Sequence, residues 1–467
     1  MTFARVVLRF ATVGCLIWAL MLVAESPVSV RLLFGVLVIG ATLALVDRVF
    51  SKEIRDTISI VIVSGLAAIF AAELYLSAQP HSVGSARLPA DFDRRSKREV
   101  VKQLREAGDR SAVPVIYPSR WVWEPHLFST RDLATDFLPL GALPLRTSVL
   151  CNEGGFWATY MSDEGGFNNP PGLWQSAIDV AVVGDSFSNG NCVHQGEDWP
   201  SRVRAHIPGL LNLGMGGNGP LFELATIKEF LPRLKPRIVI WEFYEGNEAR
   251  VTAEMKHPIL LKYLKEPAFS QGLRDRQGEV NQVLQRVFDK GLAGAERLSS
   301  DKGPVSQAAT TMRLGINLSD VLRLRELRKQ LVNETNADSP EVRTFAETLA
   351  EGRRVVEGWG GKLYFLYLPS SMALTSWIPP AQYASRDLIN QTAVAQGLEV
   401  IDLYPVFRRK SDPLSLFPYR QQAVHYSAKG YELVAKEVLT RLQSDLPLGT
   451  NAKSDQGLAR STVKPGD

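Results

Sequence analysis

Three apolar stretches crowd the first 80 residues: Val6 to Ala24, Leu32 to Val46 and Ile58 to Ala78. The first and third come near the roughly 20 residues a helix needs to cross a bilayer. The second is shorter, but Leu, Val, Ile, Gly and Ala dominate it. Each alone also fits a buried helix of a soluble protein. Three in succession, with short links, predict three transmembrane helices over residues 1–79. A cleaved signal peptide accounts for the first stretch only, and no small-residue cleavage pattern before a soluble segment follows it.

After residue 80 the pattern changes. Residues 80–149 form a charged, linking and β-rich lead-in: helical spacing at Val100, Val101 and Leu104, a break at Pro114, then aromatic and β-branched residues among Gly, Asn and Pro. From about residue 150 to 443, short apolar runs alternate with amphipathic ones. "AIDVAVVG", "GLLNLGMGG", "RIVIWEFYEG", "KLYFLYLPS" and "EVIDLYPVF" read as strands. "EDWPSRVRAHI", "LFELATIKEFLPRL", "VRTFAETLAEGRRVVEGW", "ASRDLINQTAVAQG" and "SAKGYELVAKEVLTRL" read as helices. This alternation predicts an α/β fold, a mostly parallel sheet covered on both faces. In such sheets the site lies beyond the carboxyl ends of the strands. One block, about 250–340, lacks strand candidates and reads as a helical insertion. Two readings of it stand: a cover over or beside the site, or extra crossover helices. The tail 444–467 is polar and aperiodic, and disorder is expected there.

Charge sets the orientation. Arg5 precedes the first apolar stretch, and Arg48, Lys52 and Arg55 fill the second link, whereas the first link offers only Arg31. The N-terminus and second link, separated by two crossings, are therefore expected in the cytoplasm, and the third crossing delivers the rest of the chain to the other side. Net charge is only +4 over 467 residues, spread along the chain, so no nucleic-acid footprint exists. The basic cluster Arg94–Arg98 lies among Asp91, Asp93 and Glu99 and reads as a solvated helix start rather than a phosphate or lipid-headgroup patch. Of three cysteines, Cys15 falls in the first apolar stretch. Cys151 and Cys192 fall in the part expected outside the cytoplasm, where they form either a disulfide or two buried thiols. The six histidines are scattered, and neither a metal-ligand spacing nor a cofactor motif is visible.

Four sites fall at predicted strand ends or a helix start: Ser186, Gly217, Asn247 and His425. A serine hydroxyl becomes a nucleophile when a base takes its proton, and histidine is the usual base. The oxyanion of the tetrahedral intermediate needs donors, which a backbone N–H at Gly217, the Asn247 amide and the Ser186 N–H can supply. "GDSFS" is not the nucleophile elbow, because Ser188 stands where that motif demands glycine. The blocks "VVGDSFSNG", "NLGMGGNGP", "YEGNE" and "HYSAKGYELVA", in this order, resemble those of the SGNH/GDSL hydrolases, and "MSDEGGFNNPPG" looks like the lead-in of bacterial relatives.

The resemblance implies a three-layer α/β/α fold, with Ser186 as nucleophile and His425 as base. Gly217, Asn247 and the Ser186 N–H would form the oxyanion hole, and Asp185 would be structural. One departure stands out: Gln422 occupies the position, three before the histidine, where the family usually carries Asp. An amide can orient an imidazole but cannot neutralise it. The alternatives are a Ser–His dyad, a replacement acid with Asp402 and Asp412 as candidates, or a site that only binds. Glu248 stands where Asp is common, a milder change.

The resemblance further implies a membrane-anchored enzyme of the bacterial inner membrane. Its catalytic domain would be periplasmic, acting as esterase or O-acetyltransferase on envelope or exported polysaccharide, alongside the machinery that handles that polymer. The competing reading is a polysaccharide-binding or assembly protein built on a degenerate site; a lipase is less attractive. Trp121, Trp123 and Trp377 either stack on sugars or serve as core and cap residues.

Overall fold

The computed structural model describes residues 2–24, 30–78, 89–123, 137–297, 338–375, 385–421 and 424–446. Gln422, Trp377 and the tail from residue 447 lie outside the described residues, as does the stretch 298–337 of the expected insertion. The chain divides into two compact units, one holding Met1–Pro80 and the other holding the α/β region.

The first unit contains α1 (Phe3–Ala24), α2 (Val30–Val49) and α3 (Lys52–Ala78), one helix for each apolar stretch. Arg9 Nε donates to Asp47 Oδ2 at 2.9 Å, pairing α1 with α2. Ser59 Oγ of α3 donates to the Ala4 carbonyl of α1 at 3.3 Å. Among the described residues one helix, Lys52–Tyr75, is long and apolar enough to cross a membrane.

In the second unit the lead-in supplies α4 (Lys97–Glu106), β1 (Val113–Pro114), α5 (Arg120–Trp123), β2 (Thr147–Val149) and β3 (Thr159–Met161). The solvated helix start holds: Ser96 and Glu99 form a reciprocal cap on α4. The three short strands pair in the order β1-β2-β3, the first pair parallel and the second antiparallel.

The α/β region follows as β4 (Val180–Val183), α6 (Ser186–Asn189), α7 (Trp199–Arg204), β5 (Leu210–Asn212), α8 (Pro220–Phe230), β6 (Ile238–Tyr244), α9 (Glu248–Glu254), α10 (Pro258–Lys265) and α11 (Gln277–Arg297). It continues with α12 (Pro340–Glu357), β7 (Lys362–Leu368), α13 (Ser371–Thr375), α14 (Arg386–Ala395), β8 (Glu399–Asp402), α15 (Tyr404–Arg408) and α16 (Ala428–Leu442). The strands form one sheet, β5-β4-β6-β7-β8, parallel throughout.

Alternate residues of each strand serve opposite cores. Ala181, Val183, Val239, Trp241, Phe365 and Tyr367 pack with α8, α12 and α14 on one face. Val180, Val182, Ile238, Ile240, Tyr364 and Leu366 pack with α7 and α16 on the other. Burial on both faces explains why these strands read as continuous apolar runs. Leu260 and Tyr263 of α10 and Val280, Val283 and Leu284 of α11 belong to the first core. In the described part of the expected insertion α10 and α11 therefore pack as crossover helices, whereas Arg250 and Glu254 of α9, at its start, lie beside Asp185 and the Gly219 backbone.

The chain passes from β4 to β5 on one side, then returns to place β6 on the other side of β4. The carboxyl end of β4 is thus the topological switch point, where open parallel sheets leave a crevice. Ser186 begins α6 three residues beyond it, after Gly184 and Asp185.

Candidate active site

The turn that carries Ser186 is built by close backbone approach. A Cβ on Gly184 would lie 2.4 Å from Glu242 Oε2 and 2.7 Å from Ser188 Oγ, so only glycine fits. Glu242 reaches under the turn from β6 and is fully buried. Its Oε2 accepts the Asp185 N–H at 3.1 Å and the Ser188 hydroxyl at 2.9 Å. Burial, then the charges of Asp185 and Glu223, push the Glu242 pKa well above the usual carboxylate value.

The Asp185 carboxylate does more than cap α6. Its Oδ1 accepts the Phe187 N–H at 2.8 Å, starting α6. Its Oδ2 accepts Asn247 Nδ2 at 2.9 Å and lies 3.4 Å from Arg250 Nη1. One carboxylate thereby ties the serine turn to the loop after β6.

The loop after β5 runs beside the turn. Met215 N–H donates to the Gly184 carbonyl at 3.1 Å, and Asn212 Nδ2 to the Ser188 carbonyl at 2.6 Å. Gly217 has φ +81° and a Cβ there would meet Ser119 Oγ at 2.4 Å, two reasons for glycine. Ser119 Oγ donates to the Gly216 carbonyl at 2.8 Å and Trp123 Nε1 to the Gly217 carbonyl at 3.1 Å, so Trp123 braces this loop. Trp121 packs partly buried against the core. Downstream, Glu254 of α9 accepts the Gly219 and Leu221 N–H groups at 2.7 and 2.9 Å. Burial outweighs these bonds and raises its pKa to about 7.

His425 precedes α16, whose start is capped by Ser427. Its Nε2 stands 2.9 Å from Ser186 Oγ. Its Nδ1 stands 3.0 and 3.1 Å from the two carboxylate oxygens of Glu153, and its backbone N–H donates to Glu153 Oε2 at 2.7 Å. Phe187 lies against the imidazole at 4.9 Å between centroids and stacks on Tyr244 at 4.0 Å. Burial lowers the His425 pKa, but the charge and hydrogen bond of Glu153 outweigh it, and the net shift is upward; Asp185 adds to the rise and Arg250 opposes it.

The structure thus brings Ser186, His425, Asp185 and Asn247 together and adds Glu153, an acid the sequence reading missed. Neither replacement acid considered there touches His425. Asp402 ends the edge strand β8, where it accepts Arg386 Nε at 2.9 Å and the Tyr404 N–H at 2.9 Å. Asp412 pairs with Arg420. Asp402 fails as third member because its strand lies three positions from β4 in the sheet. The Asn247 amide, expected to face an oxyanion, commits one of its two N–H bonds to Asp185.

Cys151 and Cys192 are joined by a disulfide, with Cα atoms 5.2 Å apart. The bridge lies beside the site: Cys192 Sγ is 3.6 Å from His425 Nδ1. Cys151, Cys192 and His425 gather ligand-type atoms within 4.8 Å of one another, but the disulfide leaves no thiolate to bind a metal.

No protein-family model matches the chain, and no curated protein does. Among solved structures, it is similar to a lipase/acylhydrolase from Enterococcus faecalis at 14% identity and TM-score 0.32, covering 57% of this chain and 97% of that one. TesA is matched at 13% identity and TM-score 0.31, over 57% of this chain and 99% of that one. An acetyl xylan esterase, AlAXEase, is matched at 11% identity and TM-score 0.30, over 56% of this chain and 99% of that one.

Proposed function

We propose that the chain is a serine acyl-transfer enzyme whose catalytic residues are Ser186, His425 and Glu153. One observation carries this reading: His425 bridges the Ser186 hydroxyl and the Glu153 carboxylate through opposite ring nitrogens. In the proposed reaction His425 Nε2 takes the Ser186 proton as Oγ attacks an ester carbonyl. Glu153 holds the Nδ1–H tautomer and stabilises the imidazolium. The oxyanion is met by the Ser186 and Gly217 N–H groups and by the Asn247 N–H not used by Asp185. The intermediate collapses, and the departing alkoxide takes the proton from Nε2. Water, or a sugar hydroxyl, then gives up its proton to His425 and attacks the acyl-serine, and Ser186 is restored.

The ground for a purely binding protein was the glutamine at 422; a carboxylate on Nδ1 removes that support. The remaining proposal is a protein held by three membrane helices, with the N-terminus in the cytoplasm and residues from about 80 onward in the periplasm. The disulfide supports that placement, since such bonds persist in oxidising compartments. The expected substrates are acylated carbohydrates of the envelope or of exported polysaccharide, with esterase or O-acetyltransferase outcome decided by the acceptor.

The test is hydrolysis of p-nitrophenyl acetate by the full chain in detergent, beside Ser186→Ala and His425→Ala. Turnover should fall by about a thousandfold or more in both. Undiminished turnover in either variant would contradict the reading.

A further inference from the structure

The acid of the proposed triad does not come from the parallel sheet. Glu153 sits in an irregular segment between β2 and β3, and the nucleophile in the turn after β4. Such segments hold position only as well as their ties allow. Noncovalent ties fasten the Glu153 segment to the lead-in and to the loop before His425: Asn152 Nδ2 to the Asp93 carbonyl at 2.6 Å, Asp93 N–H to the Gly155 carbonyl at 2.8 Å, and Tyr419 hydroxyl to the Gly154 carbonyl at 3.0 Å. The covalent tie runs to the nucleophile loop itself. Cys151 is two residues before Glu153, and Cys192 is six after Ser186.

Three further features converge on Cys192. It holds φ +67°, a left-handed backbone that a non-glycine residue adopts at a cost. The residue before it is pinned from two sides, Tyr117 hydroxyl donating to Asn191 Oδ1 at 3.0 Å and Tyr431 hydroxyl to the Asn191 carbonyl at 3.3 Å. Its sulfur packs on the edge of the imidazole that carries the Glu153 bond, and Cys192 is 1% exposed. Sulfur at that edge shields one side of the Nδ1–carboxylate pair, which stays partly open to water.

Resting on the acyl-transfer reading, we infer that Cys151 and Cys192 are positioning residues: their disulfide sets Glu153 against His425, so full activity belongs to the oxidised protein. The bridge does not touch the reacting atoms and acts through Glu153.

The experiment compares the full chain in detergent, oxidised and after treatment with a trialkylphosphine. The phosphine becomes its oxide with water supplying the oxygen, and the disulfide takes up two electrons and two protons to give two thiols. Cys151→Ala/Cys192→Ala is assayed alongside, and both comparisons are repeated on Glu153→Gln. For p-nitrophenyl acetate, kcat should fall by about tenfold on reduction with KM little changed, and the Glu153→Gln protein, already slowed, should lose less than about twofold. The acid limb of kcat against pH should also move down on reduction, because Glu153 no longer raises His425 against the pull of burial; Asp185 and Arg250, the other charges acting on the ring, keep their places. Unchanged kcat and acid limb in an active protein would overturn the inference and leave the triad standing. An equal loss in Glu153→Gln would also overturn it, assigning the bridge a general role in stability. An oxidised protein with no turnover and no phosphonate label on Ser186 would instead sink the reading beneath it.

Discussion

Replacing Glu153 by Gln removes one charge and little else. The amide oxygen can still accept Nδ1–H, so the tautomer that leaves Nε2 free for Ser186 persists. What disappears is attraction between a carboxylate and the imidazolium that forms as Ser186 loses its proton. At a charge separation of about 4 Å and an effective dielectric of about 20, that attraction is about 4 kcal/mol. The side chains of His425 and Glu153 are 20% and 24% exposed, so water screens part of it, and about 2 kcal/mol is a fair working value. At about 1.4 kcal/mol per decade, kcat should fall about 30-fold. This is well short of the roughly ten-thousandfold loss seen where the equivalent change also forces the wrong tautomer.

The pH profile supplies an independent sign. The base works neutral, so activity rises with pH through the His425 pKa. Burial lowers that pKa and Glu153 raises it, with the raising effects winning, so the acid limb should lie above 6.5 in the wild type. In Glu153→Gln the lowering effect of burial is left less opposed, and the limb should move to lower pH. Steady-state hydrolysis of p-nitrophenyl acetate across pH 5 to 9 measures both. A loss under about threefold together with an unmoved acid limb would refute the assignment of Glu153.

Three further outcomes follow from particular contacts. Asp402→Asn should leave kcat within about twofold and the acid limb in place, since Asp402 serves Arg386 and Tyr404; a shifted limb would restore it as a candidate acid. Gly184→Ala should place a methyl 2.4 Å from Glu242 Oε2 and disturb the nucleophile turn, lowering kcat at least tenfold in protein that still shows a cooperative thermal transition. Asp163→Ala should destabilise by about 3 kcal/mol or more in denaturant melts, because Gly165 N–H, Phe167 N–H, Asn169 Nδ2 and Trp174 Nε1 all donate to this one carboxylate at 2.7–2.8 Å.

Much of this architecture was legible because period and burial agree. All five strands of the parallel sheet fall inside the apolar runs "AIDVAVVG" to "EVIDLYPVF", and each amphipathic run between them is a helix. The candidate site was legible where it depends on element ends: Ser186 and Asn247 follow strands and His425 precedes the last helix, and alternation alone predicts that a parallel sheet gathers such ends. Glu153 was not legible, because "CNEGG" has no periodicity and the residue reaches His425 from 272 positions away. A clue did exist. Pairing Cys151 with Cys192 brings the acid beside Cys151 to the loop that carries the serine. With the pairing open, the sequence offers as acids only Asp402 and Asp412, which lie near His425 along the chain. The helical block left two readings open for a related reason: α10 and α11 lack strands between them, and only the structure shows that their apolar residues complete the core.

The most direct test of the central claim is labelling of the full chain with a fluorophosphonate, followed by peptide mass spectrometry. A serine activated by His425 and Glu153 should take up one phosphonate per chain, on Ser186, and His425→Ala should abolish the adduct. Folded protein in which Ser186 stays unlabelled while p-nitrophenyl acetate is still turned over would place the chemistry elsewhere and contradict the account.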